Sequence, residues 1–183
     1  MIEVQPRPPL HAPSIHPACL ESRASMPTMV PMHLSRILIR EMADMQVIEL
    51  SESGGDRKFP IVIGLPEAFA IERRLKGIEI PRPQTHDLLA SVLDALGGSL
   101  QRIEIHDMRE GTFFARLVIE QGGREVIVDS RPSDAIALGV AKGATILVEE
   151  SVLEQAASEA AAGAGPVPEI GPEFEPDEEE DED

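Results

Sequence analysis

The chain has 183 residues, of which 42% are apolar, and this is enough for one domain with a hydrophobic core. Aromatic residues make up only 3%, with five Phe and neither Trp nor Tyr, which disfavours a module that binds single strands by stacking bases on aromatic rings. The formal net charge of −17 is unlike that of a typical nucleic-acid binder, and a single cysteine, Cys19, excludes a disulfide framework and a cysteine-based zinc site.

The negative charge is concentrated at the C-terminal end of the chain. Residues 156–183 contain 11 acidic residues and no basic one, whereas residues 32–155 sum to −6 and residues 1–31 to zero. Seven prolines without periodicity predict a disordered extension over residues 1–31, and the run Asp177 to Asp183 predicts a disordered acidic tail over residues 156–183. Met32 is an alternative start of translation. The predicted folded domain is therefore residues 32–155.

The first half of this domain predicts three strands and two helices. Pro60 favours the start of a strand or an edge strand, and Pro66 suits the first turn of the helix that Gly77 ends. The second helix carries a continuous apolar stripe, which is typical of a helix that packs one face on a core. The predicted strands are 33–41, 46–50 and 59–64; the predicted helices are 66–75 and 85–96.

The second half predicts a three-strand meander, a buried helix, a strand and a final helix. Gly122-Gly123 indicates a two-residue hairpin turn. The helix over 133–142 is apolar nearly all round, so it is expected to be buried. The meander strands are 100–106, 112–120 and 124–129, the last strand is 145–149, and the last helix runs from 151 to about 162.

This order of elements predicts an α+β fold, with a mixed or antiparallel sheet and several helices packed on it in a single compact domain. Apolar strands such as 59–63 and 145–148 leave sheet edges that need covering, so a homo-oligomer is expected. No apolar run is long enough for a membrane span and no secretory signal is recognisable, so a cytoplasmic protein without membrane contact is expected.

Two similar turns carry the residues most suited to chemistry. Arg82-Pro-Gln-Thr-His-Asp87 enters the second predicted helix, and Arg131-Pro-Ser-Asp134 enters the buried helix, two residues after Asp129. Each turn places an Arg, a hydroxyl group and an Asp at a helix start, where free N–H groups and the helix dipole favour a phosphate. A purely structural interpretation is open as well, because Thr85 and Ser133 are good N-cap residues and an Asp in the first turn stabilises a helix.

The chain resembles the bifunctional nuclease family. The resemblance is collinear over about 120 residues and rests on the strings FPIVIGLPEAFAI (59–71), RPQTHDLL (82–89), DMREGTFFA (107–115) and DSRPSDAIAL (129–138). It implies hydrolysis of phosphodiester bonds in DNA and RNA with little sequence preference. The candidates that it carries over are Glu67, Arg82, His86, Asp87, Asp107, Asp129, Arg131 and Asp134.

The resulting hypothesis is a metal-assisted phosphodiesterase. Asp87, Asp129 and Asp134 would hold one or two Mg²⁺ or Mn²⁺ ions, and His86 would act as general base or acid. Arg82 and Arg131, together with Ser133, would bind the scissile phosphate, while Glu67 and Asp107 are secondary candidates. The alternative is a non-catalytic regulatory or protein-interaction module of the same fold, which the net negative charge favours.

Overall fold

The computed structural model describes residues 27–40 and 45–161. Its strands are β1 (Met29–Leu38), β2 (Met45–Glu52), β3 (Lys58–Gly64), β4 (Gly98–Arg109), β5 (Thr112–Gln121), β6 (Arg124–Ser130) and β7 (Thr145–Glu149). Its helices are α1 (Leu65–Leu75), α2 (Thr85–Ala95), α3 (Pro132–Gly139), with a 3₁₀ turn at Val140–Lys142, and α4 (Glu150–Ala161). The predicted α+β fold, with a mixed sheet and packed helices in a single compact domain, is confirmed.

The elements extend beyond both predicted ends of the folded domain. In β1, Met29 pairs with Glu149, so the strand begins three residues before residue 32. Helix α4 continues to Ala161, six residues past residue 155. The rest of the predicted N-terminal extension and acidic tail, 1–26 and 162–183, lies outside the described residues. Within residues 27–40 and 45–161, no helix is long and apolar enough to cross a membrane.

The seven strands form one strongly curled sheet in the order β3-β2-β1-β7-β4-β5-β6. Neighbouring strands are antiparallel except for the parallel pair β4–β7. In a flat sheet, a spacing of about 4.8 Å per strand would separate β3 from β5 by about 24 Å. The rings of Phe59 in β3 and Phe113 in β5 nevertheless lie 5.2 Å apart, centroid to centroid. The curl therefore brings the β3 edge back toward the β4–β5 hairpin.

Helix α3 lies at the centre of the core, as its sequence predicts. Ala135, Ile136, Ala137 and Leu138 are all buried and belong to one apolar cluster, to which α1, α4 and the strands also contribute. Its last residue, Gly139, lies against β4, where an added Cβ would come within 2.5 Å of Ile103 Cδ1. A larger residue at this position would force the side chain of Ile103 to move. The first residues of this buried helix form part of the site described below.

Two of the structural expectations about exposed surfaces are wrong. Strand β3 is an edge as predicted, but β7, which contains residues 145–148, lies between β1 and β4, and the second edge is β6. Helix α2 buries no residue, and only Ala90 and Leu93 pack against the core. The rest of its apolar stripe is 44–67% exposed, namely Leu88, Leu89, Val92 and Leu96.

Tight hairpins connect the strands of the meander. Gly122 and Gly123 have φ values of 59° and 80°, so the predicted two-residue turn between β5 and β6 is confirmed. A second such turn joins β4 to β5, where Glu110 has a φ of 49° and Gly111 a φ of 75°. This turn holds Met108 and Phe113 opposite each other. Both residues line the cavity described next.

Candidate functional site

The three helices α1, α2 and α3 begin close to one another, and their N-caps differ from those predicted. Thr85 and Ser133 do not cap: the N-cap of α2 is Gln84 and that of α3 is Arg131. The backbone N–H of Gln84 donates to Asp87 Oδ2 at 2.9 Å, which satisfies a free donor at the helix start. The prolines that follow Arg131 and Leu65 occupy first-turn positions that do not need an N–H group.

The two Arg-Pro turns meet in space. His86 Nε2 lies 3.1 Å from Asp134 Oδ1, so the start of α2 contacts the start of α3. Arg131 Nε donates to Asp134 Oδ2 at 2.7 Å, and Arg131 Nη2 donates to Glu67 Oε1 at 2.6 Å. These four residues, Glu67, His86, Arg131 and Asp134, are called the His86 cluster below.

The charge state of Asp134 follows from these contacts. Burial would raise its pKa, but the hydrogen bonds from Arg131 and His86 outweigh that effect and hold the pKa below its usual range. Asp134 is therefore ionised at neutral pH and can only accept hydrogen bonds. Neutral His86 must then carry its proton on Nε2, which leaves Nδ1 as the basic nitrogen. In the described part of the chain, no side chain or backbone group hydrogen-bonds to Nδ1.

Asp87 lies in a second cluster, which also contains Arg73 and Arg74. Arg73 Nη2 donates to Asp87 Oδ2 and Arg74 Nη2 to Asp87 Oδ1, each at 2.7 Å. Arg74 also donates to the carbonyl oxygen of Ala137 and is only 5% exposed. Burial would raise the pKa of Asp87, but the two guanidinium groups lower it to about 2. This Arg73–Arg74–Asp87 cluster ties α1 to α2 and α3.

The predicted metal ligands are not brought together. Asp87 and Asp134 are each engaged by arginines, and Asp129 lies exposed on the edge strand β6, where its carboxylate has no hydrogen bond or ion pair to any described side chain. Among the described residues, no three His, Cys, Asp or Glu side chains are grouped so as to hold a metal ion. The described side chains therefore do not form the predicted three-carboxylate cluster, and the cation stays a proposal.

The remaining candidates have separate environments. Arg82 is exposed, and its guanidinium contacts no partner within the described residues, so it is available to an anion. Ser133 is buried at the start of α3. Asp107 pairs with Arg109 in β4 and has no contact to the His86 cluster within the part that the structure describes.

A cavity of about 530 Å³ opens beside the His86 cluster. The two share Arg131, whose side chain is 66% exposed and is followed in the cavity wall by Pro132 and Ser133. The other walls come from β3, the β4–β5 hairpin and α4, and they include Phe59, Ile61, Met108, Phe113, Ala156 and Glu159. A mostly apolar cavity with a few polar groups at its rim is the usual form of a small-ligand site.

Two parts of this arrangement were not found from the sequence. The sequence is equally compatible with a phosphate contact and with an exposed helix face at Arg73 and Arg74, because nothing local marks an arginine that pairs with a carboxylate on another helix. Phe59 and Phe113 were not connected with each other. Their position within the strings shared with the family is the signal that could have indicated a common role.

Comparisons with known proteins agree with this fold and these motifs. The bifunctional nuclease domain matches residues 48–161. The chain is 44% identical over 120 residues to a Mycobacterium tuberculosis protein described as uncharacterized protein Rv1829, covering 66% of this chain and 71% of that protein. It is 28% identical over 102 residues to Bifunctional nuclease 1 of rice, Oryza sativa subsp. indica, covering 54% of this chain and 31% of the rice protein. The chain belongs to the bifunctional nuclease domain family.

Proposed function

We propose that this protein is a nuclease that hydrolyses phosphodiester bonds of DNA and RNA with little sequence preference, and that the His86 cluster is its active site. The observation that carries the proposal is the 3.1 Å contact between His86 and Asp134, which joins the two helix starts beside a cavity. The membership of the family and the similarity to a rice protein named Bifunctional nuclease 1 support it.

In this mechanism His86 acts through Nδ1. Asp134 accepts the Nε2–H group and fixes the ring, so that Nδ1 can take a proton from a water molecule that attacks the phosphorus atom. The P–O bond to the leaving sugar oxygen breaks, and the proton held on Nδ1 passes to that oxygen, which restores neutral His86. The negative charge that develops on the phosphate oxygens requires cationic donors. Arg131 is exposed enough to exchange one of its carboxylate partners for a phosphate, and the unpaired Arg82 is a second donor from the same group of helix starts.

The predicted Mg²⁺ or Mn²⁺ stays a separate proposal. Since Asp87, Asp129 and Asp134 do not form one ligand set, no step above depends on a cation. With neutral His86, the His86 cluster sums to −1, which opposes the approach of a polyanion. A bound cation would reduce this repulsion, so cleavage is assayed with and without a chelator.

The test compares His86→Gln with His33→Gln, which replaces a histidine exposed on β1 outside the cluster. Full-length protein is incubated with plasmid DNA and with RNA, and the initial rate of cleavage is measured. We expect His86→Gln to lower the rate by about 10²- to 10⁴-fold, the usual contribution of a general base, and His33→Gln to leave it unchanged. Equal rates for the two variants would exclude His86 as the base.

The exposed stripe of α2 favours a second function, that of an interaction module that associates with a second copy of the chain. Four large apolar side chains at helical spacing face solvent in the single chain, and such surfaces are often protein interfaces. Sedimentation velocity of wild type and of a Leu89→Ser, Val92→Ser variant tests this. We expect wild type to be a dimer and the double variant a monomer. Phe69→Ser, at an exposed position of α1, is the matched control and should leave the dimer intact. A monomeric wild type would argue against self-association.

A further inference from the structure

The walls of the cavity beside Arg131 are unusual for this chain because they concentrate its aromatic residues. The whole sequence contains five Phe and no Trp or Tyr, yet two of the five, Phe59 and Phe113, line this one cavity. Their ring centroids are 5.2 Å apart at an interplanar angle of 30°. Phe59 is buried, whereas Phe113 is half-buried, so Phe113 is the ring that a ligand can reach.

The position of Arg131 adds a charged group to the same wall. Arg131 lines the cavity and also belongs to the His86 cluster, so one ligand can contact the apolar walls and the guanidinium together. An apolar, aromatic wall next to an exposed cation matches the two parts of a nucleotide, a flat base and a phosphate. The volume of about 530 Å³ lies within the range of small-ligand sites, roughly 300–1,000 Å³.

We infer that this cavity receives one unpaired nucleobase of a single-stranded DNA or RNA, stacked on Phe113, while the adjacent phosphate is bound at Arg131. The inference rests on the proposed nuclease function and specifies its substrate class. A base that is paired and stacked in a duplex cannot enter such a cavity without being extruded, so single strands bind more tightly than duplexes. Stacking accepts any base, which fits a nuclease with little sequence preference.

The absence of Trp and Tyr makes a direct test possible. Phe113→Trp places the sole indole of the protein in the cavity wall, and Phe69→Trp, at an exposed position of α1 that does not line the cavity, is the matched control. Each variant is titrated with a hydrolysis-resistant phosphorothioate oligothymidine and with an abasic oligomer of the same length. We expect the thymidine oligomer to quench Phe113→Trp strongly, and the abasic oligomer and the control variant to show little change.

A second variant covers the case in which Phe113→Trp fails to fold. Phe113→Leu keeps most of the side-chain volume but removes the ring. We expect it to bind the thymidine oligomer roughly 5- to 150-fold more weakly than wild type, as for the loss of one stacked base, and to bind the abasic oligomer unchanged. Affinities are measured by fluorescence anisotropy of the labelled oligomers.

Three outcomes would overturn the inference, and they are distinguishable. If the oligomers bind and are cleaved in their phosphodiester form, but neither Phe113 variant responds to the base, the cavity is not a base site and the proposed function stands. If nothing binds and nothing is cleaved, the proposed function fails and the inference with it. If removal of residues 162–183 changes the indole emission without nucleic acid, the cavity belongs to the C-terminal segment of the chain.

Discussion

Asp87 and Asp134 lie in similar sequence motifs, but their carboxylates contact different side chains in the fold. Each follows an Arg-Pro dipeptide and lies in the first turn of a helix. Asp87 receives two guanidinium groups from α1, one of which is nearly buried. Asp134 receives one exposed guanidinium group and the imidazole of His86. The same motif therefore produces a structural ion pair in one place and a candidate catalytic pair in the other.

The difference arises from the partners and not from the turns. An arginine stays charged at any accessible pH and Asp87 is ionised near neutral pH, so the Arg73–Arg74–Asp87 cluster has one charge state there and holds the helices together. A neutral imidazole has one N–H donor and one basic nitrogen, so the His86 cluster contains a group that can accept a proton and pass it on.

The largest effect is expected on catalysis from Asp134→Asn. The asparagine amide would donate to His86 Nε2, which favours the tautomer with its proton on Nδ1 and removes the basic nitrogen. We expect the rate of cleavage to fall by about 10²- to 10⁴-fold, while the midpoint of thermal unfolding changes little. Initial rates on a fluorescent RNA and a thermal melt measure the two quantities. A variant that cleaves at the wild-type rate would show that Asp134 does not orient the base.

For Asp87→Asn we expect a loss of stability with little loss of activity. The substitution leaves two largely buried guanidinium groups without a negative partner. We expect the free energy of unfolding to fall by about 3–5 kcal/mol, as when one partner of a buried ion pair is removed. Urea denaturation measures this. The cleavage rate, expressed per folded molecule, should stay within a few-fold of wild type. A loss of less than about 1 kcal/mol would mean that the cluster is screened by solvent and does not hold α1 against α2.

The sequence predicts the elements well because the signals for them are local. Hydrophobic periodicity locates α1, and the paired glycines at 122 and 123 determine a hairpin by their positive φ values. The apolar composition of α3 predicts its burial without any knowledge of its neighbours. The direct contact between the two Arg-Pro turns is not predictable in this way: both turns carry groups that suit one phosphate, but no local signal brings them together.

The partners of each side chain are not predictable in this way because they depend on the curl and order of the sheet. The curl brings Phe59 to Phe113, and the packing of α1 places Arg73 and Arg74 on Asp87, which removes that carboxylate from the expected metal site. The sequence shows which residues can do chemistry. Only the three-dimensional arrangement shows which of them are already engaged by an arginine.

A smaller effect is expected when acid protonates Asp87 in the wild type and weakens its ion pairs with Arg73 and Arg74. The pKa of Asp87 is lowered to about 2 in the folded state, compared with about 4 in the unfolded state. The ionised carboxylate therefore contributes its full share to the free energy of unfolding above pH 4, and this share is lost as the pH falls toward 2. The loss amounts to about 2 kcal/mol. The difference in free energy of unfolding between wild type and Asp87→Asn should therefore narrow by about 2 kcal/mol between pH 4 and pH 2, as measured by urea denaturation. Parallel curves over this range would contradict the lowered pKa.

The smallest effect is expected from Asp94→Asn, which is a control on the same helix as Asp87. Asp94 Oδ1 accepts from Lys142 Nζ at 2.6 Å, so this pair also links α2 to the end of the α3 region. Its carboxylate is 56% exposed, however, and exposed pairs contribute at most about 1 kcal/mol because water and salt screen them. We expect the free energy of unfolding to change by less than 1 kcal/mol and to depend on salt concentration. A loss as large as that for Asp87→Asn would show that connecting two helices, and not the burial of the guanidinium groups, determines the strength of these pairs.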